Sequence, residues 1–211
     1  THVTISGNTA VGYHGGGMRL ISSNPTLTHV TISGNTAGRH GGGMYIKNSE
    51  PILNHVTISD NTAGVSSYYE GTGGGIHLDS SNPILTNVTI VNNNTDSEGG
   101  GIYLYSDWVS NSAITNSIIW DNSPESIYEF IDCDCPSAAT ITYSDVEGGW
   151  EGVGNIDADP LFCDAENGDL TLAESSPCVG TGQDGADMGA YGVGCEGGDE
   201  CDLGDVNCDG Q

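Results

Sequence analysis

The chain has 211 residues with 33 glycines and only two phenylalanines, poor material for one globular core but normal for a solenoid with a thin interior. Three Lys and Arg against 29 Asp and Glu leave a net charge of −26, which excludes nucleic acid and disfavours anionic lipid surfaces, where binding rests on neutralising negative charge. No apolar run reaches the roughly 18 residues of a membrane span, so no membrane insertion is expected.

From Thr1 the sequence Thr-His-Val-Thr-Ile-Ser-Gly-Asn-Thr-Ala opens a unit that recurs from Thr28, then from Asn54, and in weaker form from Thr86 and Thr115. The start-to-start spacings are 27, 26, 32 and 29 residues, and triple glycines keep step at Gly15–Gly17, Gly41–Gly43, Gly73–Gly75 and Gly99–Gly101. A fixed period of this kind is the signature of a repeat architecture. Each unit holds two short runs with period-2 alternation and none with helical spacing. Val3 and Ile5 recur as Val30 and Ile32, Val56 and Ile58, Val88 and Ile90; Met18 and Leu20 recur as Met44 and Ile46, Ile76 and Leu78, Ile102 and Leu104. The residues between should face the other way. Asn24-Pro25, Glu50-Pro51 and Asn82-Pro83 separate the units as turns.

No unit buries its apolar face alone, so neighbours must stack on one core. Three short strands per turn at a spacing of about 4.8 Å give an all-β, single-stranded parallel β-helix, with 26–32 residues per coil. Like residues then lie above like. Asn8, Asn35, Asn61, Asn93 and Asn122 form one column, read as a ladder of side-chain amides bonded coil to coil. The glycines mark a tight corner that needs positive φ or close backbone approach. A phosphate-cradling loop is rejected, since neither Lys-Ser/Thr nor a helix pattern follows.

The alternation of Gly-Gly-Gly-Met/Ile with Ile-Ser-x-Asn-Thr-Ala resembles the right-handed parallel β-helix proteins. It is closest to the repeats of polymorphic bacterial surface proteins and autotransporter passengers, here with Ile where Phe is usual. The resemblance covers residues 1–123 and implies the right-handed sense. Because that fold carries adhesins, lyases and hydrolases alike, it does not define an activity.

Residues 124–191 read as irregular final coils and a cap. Ser117-Ile118-Ile119-Trp120 replaces Val-Thr-Ile-Ser, and Ala139–Ser144 has the pattern of a further strand. The run Asp159-Pro160-Leu161-Phe162, Gly168-Asp169-Leu170-Thr171-Leu172, Ser176-Pro177 and Asp187-Met188-Gly189-Ala190-Tyr191 resembles the "choice-of-anchor" ending of environmental bacterial β-helix proteins. Cys178-Val179 stands there where Ala-Ile is usual, and Gly192 where Glu is common. This implies an exported, cell-surface protein. All three cations lie in the first 47 residues, 22 of the 29 acids lie from Asp121 onward, and all seven cysteines lie from Cys133 onward. Such a cysteine-rich end reads as disulfide staples in an oxidising compartment, with Cys133 and Cys135 too close to bridge each other. Residues 192–211 read as an acidic Gly/Cys linker. Its end, carrying Asp205, Asn207 and Asp209, is similar to the first half of a dockerin or EF-hand calcium loop. Calcium is thus the one candidate cofactor. Residue 1 falls inside a repeat and no signal peptide precedes it, so a fragment, a processed product or one section of a longer protein is expected.

Three site readings follow. The column Arg19, Tyr45, His77 and Tyr103, with Tyr105, Trp108 and Tyr68-Tyr69 nearby, is an outward aromatic face suited to glycans or partner proteins, although outward Tyr also has good β propensity. Asn87-Val-Thr and Asn93-Asn-Thr fit the glycosylation pattern. His2, His29 and His55, continued by Asn87 and Asn116, form a column read as structural hydrogen bonding, as is the register of His14 and His40. No catalytic residue is assigned: a hydrolase needs two carboxylates at about 5–10 Å, and Asp79 and Asp107, one coil apart, would meet this only by accident. The expected function is a non-catalytic structural or adhesive module, self-associating end to end as a filament subunit or continuing into further coils through its open strand edge. The alternative is a carbohydrate-active enzyme fragment.

Overall fold

The computed structural model describes residues 2–65, 70–106, 111–131 and 139–196. They form an all-β parallel solenoid of about five turns, with helix confined to two three-residue 3₁₀ turns.

The first four coils each contribute to three parallel sheets. The first stacks Val3–Ser6, Thr26–Ser33, Ile52–Ser59 and Ile84–Val91, then Ser112–Thr115 with Ile118–Trp120, then Ala139–Thr142 with Asp145–Val146. The second is a ladder of dipeptides, from Thr9–Ala10 to Asn94–Thr95. The third runs from Met18–Ile21 through Met44–Lys47, Ile76–Asp79 and Ile102–Ser106 to Ile127–Ile131. The register sets Val30 beside Val56 and Val88, and Ile46 beside Leu78. The core is therefore a stack of like aliphatic side chains, with Ile32, Ile58, Ile90, Met44 and Ile102 fully buried. Stacking continues past residue 123, since Val146 is in register with Ile119.

Corners are made by residues with positive φ. The first glycine of each triplet supplies one (φ 72°, 69°, 68° and 69° at Gly15, Gly41, Gly73 and Gly99). The second is required by crowding: a Cβ on Gly42 would strike the carbonyls of Gly74 and Thr62. A further left-handed column lies within the first sheet, at His29, His55, Asn87 and Asn116 (φ 51–54°). The eight-residue strands bend there. His29 and His55 thus also answer a backbone demand, Asn and His being tolerant of this region, while His2 bonds Thr31 Oγ1 and His55 bonds Asn54 Oδ1. The His29 and His55 rings lie 5.2 Å apart, tilted at 50°, and make no hydrogen bond to each other.

The two ends of the solenoid differ. At the first coil Val3 is 47% exposed, Val11 78% and Tyr13 72%, and Ile5, Met18 and Leu20 are only partly covered. At the last, residues 147–158 fold across the end. Trp150 packs on the core, Ile156 pairs with Asp145, and Asn155 accepts from Ser144 N–H and donates to Ile141 O. The closing segment pairs with the outer side of the last coil at Tyr143–Val146, through Val153 O and Ile156.

Residues 159–196 form an arm with its own small core of Leu172, Cys178 and Met188 around Ile118. Phe162–Asp164 pairs antiparallel with Asp169–Ala173, which pairs in parallel with Val193–Cys195, and a Cys163–Cys195 disulfide ties the outer strands. Within the stretch expected as a linker, Val193–Cys195 is a strand; residues 197–211 lie outside the described residues. Cys178 is a buried free thiol; Cys133, Cys135, Cys201 and Cys208 lie outside the described residues.

Candidate functional site

The outward aromatic column is assembled as expected, but it is not an open face. Arg19 lies 5.9 Å from the Tyr45 ring centre, Tyr45 stacks on His77 at 5.2 Å, His77 on Tyr103 at 4.9 Å and Tyr103 on Tyr128 at 5.5 Å. These distances follow from the strand spacing. The segments leading into the triple glycines fold over the column. His14 stacks on Tyr45 at 4.6 Å and on His40 at 5.0 Å, and His40 stacks on His77 at 4.8 Å. Tyr45, His77 and Tyr103 are left 6%, 6% and 8% exposed. The correction to the exposed-face reading is physical: an outward side chain in a strand is solvent-exposed only if no loop covers it. Tyr105 belongs to the neighbouring column, beside Asp79 and stacked on the exposed Phe130 at 5.6 Å. Tyr68, Tyr69 and Trp108 lie outside the described residues.

The covered stack is electrically quiet. Thr72 Oγ1 is 2.8 Å from Nδ1 of both His40 and His77. One hydroxyl proton serves only one of them, so at least one of the two imidazoles donates its Nδ1–H to Thr72. Burial lowers His14 to about 4, helped by His40; burial also lowers His40, and pushes His77 well below the usual range. Burial raises Tyr103 to about 12, and burial followed by the hydrogen bond to Asp79 raises Tyr45. Asp79 accepts from Tyr45 at 2.9 Å and from Lys47 at 2.6 Å. It is in register with Tyr105; Asp107, its suggested carboxylate partner, lies outside the described residues.

The asparagine column forms a continuous chain of amides. Asn8, Asn35, Asn61 and Asn93 each donate Nδ2–H to Oδ1 of the next member at 2.9–3.0 Å, ending on Asn122. A second ladder escaped the sequence reading. Ser23 N–H donates to Ser49 Oγ and Ser49 N–H to Ser81 Oγ. Its signal was present in the serine two residues before each separating proline.

Both glycosylation candidates are occupied. Asn93 is buried in the ladder, and Asn87 Nδ2 donates to the carbonyls of Asp187 and Gly189. Asn87 is in fact a docking residue for the arm. Thr89 Oγ1 accepts from Ala190 N–H, Asn116 Oδ1 from Gln183 N–H, and Thr57 bonds Tyr191 Oη. The arm thus runs back along the first sheet, burying Thr57 and Thr89 that alternation alone leaves outside. It is anchored at Asp145, which is fully buried in the last coil and accepts from the Cys178 thiol at 3.2 Å and Ala158 N–H at 3.1 Å. Burial raises this carboxyl to about 6 and also raises the thiol. Among the described residues no three His, Cys, Asp or Glu side chains are grouped to hold a metal ion. Asp205, Asn207 and Asp209 lie outside them.

Three short parallel strands per coil and stacked internal ladders define a single-chain β-solenoid. The chain belongs to the right-handed β-helix family: the family model for the right handed beta helix region matches residues 1–160. No curated protein and no solved structure matches it.

Proposed function

We propose that this chain is a structural and adhesive module of a bacterial cell-surface protein, forming the closed end of a β-helical rod. The observation that carries the reading is the inequality of the ends. Trp150 and Asn155 cover the last coil, while the first presents strand edges and part-exposed core side chains. A bare strand edge is a template for pairing, and at the last coil the Trp150 segment covers it in part.

Export is supported by the Cys163–Cys195 disulfide, which persists in oxidising compartments, and by the resemblance of residues 159–191 to a surface-anchoring end. No helix among the described residues is long and apolar enough to cross a membrane. Calcium at Asp205, Asn207 and Asp209 belongs to the same reading, as a module beyond the arm.

Electron microscopy of the chain at micromolar concentration, with and without calcium, tests the rod. Discrete short rods are expected. Filaments with an axial repeat of one chain would overturn the closed end and restore the fibre subunit. The competing reading, a carbohydrate-active enzyme fragment, predicts sustained release of reducing ends or unsaturated products from polysaccharides; such turnover would overturn the non-catalytic role.

A further inference from the structure

Where the first sheet ends, the arm stands away from the solenoid and leaves a trough. Two adjoining clefts share Val91, Asp121 and Ala165 and so form one continuous depression. Its floor is the outward column Ser59, Val91 and Trp120, in register on successive coils. Three strands at about 4.8 Å make it about 10 Å long. Phe162 and Leu170 of the arm complete an apolar, partly aromatic lining.

The rim carries carboxylates on both walls. Asp60, Asn92 and Asp121 occupy the left-handed corners of successive coils, at φ 57°, 55° and 52°. That conformation accounts for Asp or Asn at those three positions. It does not account for Asp159 and Glu166 on the facing arm. No Lys, Arg or His lines either cleft. A cleft lined by one sign of charge concentrates ligands of the other sign and repels its own. Uronate, sulfated and phosphorylated ligands are thereby excluded. A ligand that carries its own positive charge complements this rim.

We propose that this trough binds an amino-substituted oligosaccharide, cationic at neutral pH, with a sugar ring against Trp120 and its ammonium groups between the rim carboxylates. An aromatic face accepts the apolar face of a pyranose, and carboxylates accept charge-assisted hydrogen bonds from ammonium and hydroxyl groups. A linear polyamine meets the charge but leaves the aromatic floor unused. The trough is built by the arm and the solenoid together and does not depend on the structural role of the rod.

The test is calorimetric titration of the whole chain with a glucosamine tetramer, its fully N-acetylated counterpart, a galacturonate tetramer and spermine. Saturable binding of the glucosamine tetramer is expected, weaker by about threefold or more when salt is raised from about 0.05 to 0.3 M. Glu166→Gln and Asp121→Asn, both at exposed positions, should each weaken it by about 3–10-fold. Trp120→Phe should weaken it while keeping the packing against the arm. Absence of binding, equal binding of the galacturonate or of spermine, or indifference to both carboxylate variants would overturn the proposal.

Discussion

Asn61 donates its side-chain amide to Oδ1 of Asn93, 32 residues on, at 2.9 Å, and Asn35 donates to Asn61, 26 residues on, at 3.0 Å. Six extra residues in one coil leave the ladder unchanged, because the insertion lies between Ala63 and Gly73, outside the stacked positions. The ladder, more than the spacing in sequence, keeps the coils in register.

Asn61→Ala should therefore be costly. It removes the buried acceptor of both Asn35 N–H and Asn35 Nδ2–H, and one donor to Ile32 O. A loss of about 3 kcal/mol is expected in denaturant unfolding. Asn8→Ala, at the exposed end, should cost under about 1 kcal/mol. Equal losses at the two positions would show that the ladder is not the element under load.

Secretion through a glycosylating host should leave Asn87 and Asn93 unmodified, since one is bonded to the arm and the other is inside the ladder. Peptide mass analysis checks this. A glycan on Asn93 in folded protein would contradict its burial.

Much of this was legible in the residues. Period-2 alternation at Val56 and Ile58, and five asparagines at matching positions, dictated both the core and the ladder. The covering of Tyr45 and His77 was not legible, because alternation says which way a side chain points and nothing about which loop lies over it. His14 and His40, in step before their glycines, were the available hint. The left-handed column at His29 and His55 lies inside runs whose alternation is that of ordinary strand. Asn87 and Asn116 in the same column were its signal, since Asn is enriched at positive φ. The docking of Ala190 on Thr89 spans 101 residues and leaves no periodic trace.

Acidity should act on the two parts in opposite senses. His14 titrates at about 4 in the fold against an ordinary 6.5, so its neutral form stabilises the fold above 6.5 and that contribution is lost as pH falls through about 4. Asp145 titrates at about 6 against 3.8, so its contribution is present below 3.8 and is lost as pH rises through about 6. Asp157 and Asp159 beside it act in the same upward direction. Asp145→Asn should raise the Tm at pH 7 and leave it unchanged near pH 4. His77→Phe, which keeps the stack and leaves Thr72 bonded to His40, should soften the acid limb. A lower Tm for Asp145→Asn at pH 7 would contradict the buried, unfavourable carboxylate.

Glycines of the triplets and of the other corner should respond differently. Gly42→Ala places a methyl group against two backbone carbonyls and should cost several kcal/mol or prevent folding. Gly34 has φ 62° with open space around it, in the column that continues as Asp60 and Asn92. Gly34→Asn should therefore fall within about 1 kcal/mol of the parent. Thermal unfolding of the pair decides it.

The unequal ends are tested most directly by amide hydrogen exchange along the chain. Amides of Thr142–Val146, under the Trp150 closure, should be protected nearly as well as those of Ile84–Val91. Amides of Val3–Ser6 and Met18–Ile21 should exchange about tenfold faster or more, as fraying of an uncovered coil requires. A last coil that exchanges as fast as the first would contradict the closed end, and with it the rod that stops there.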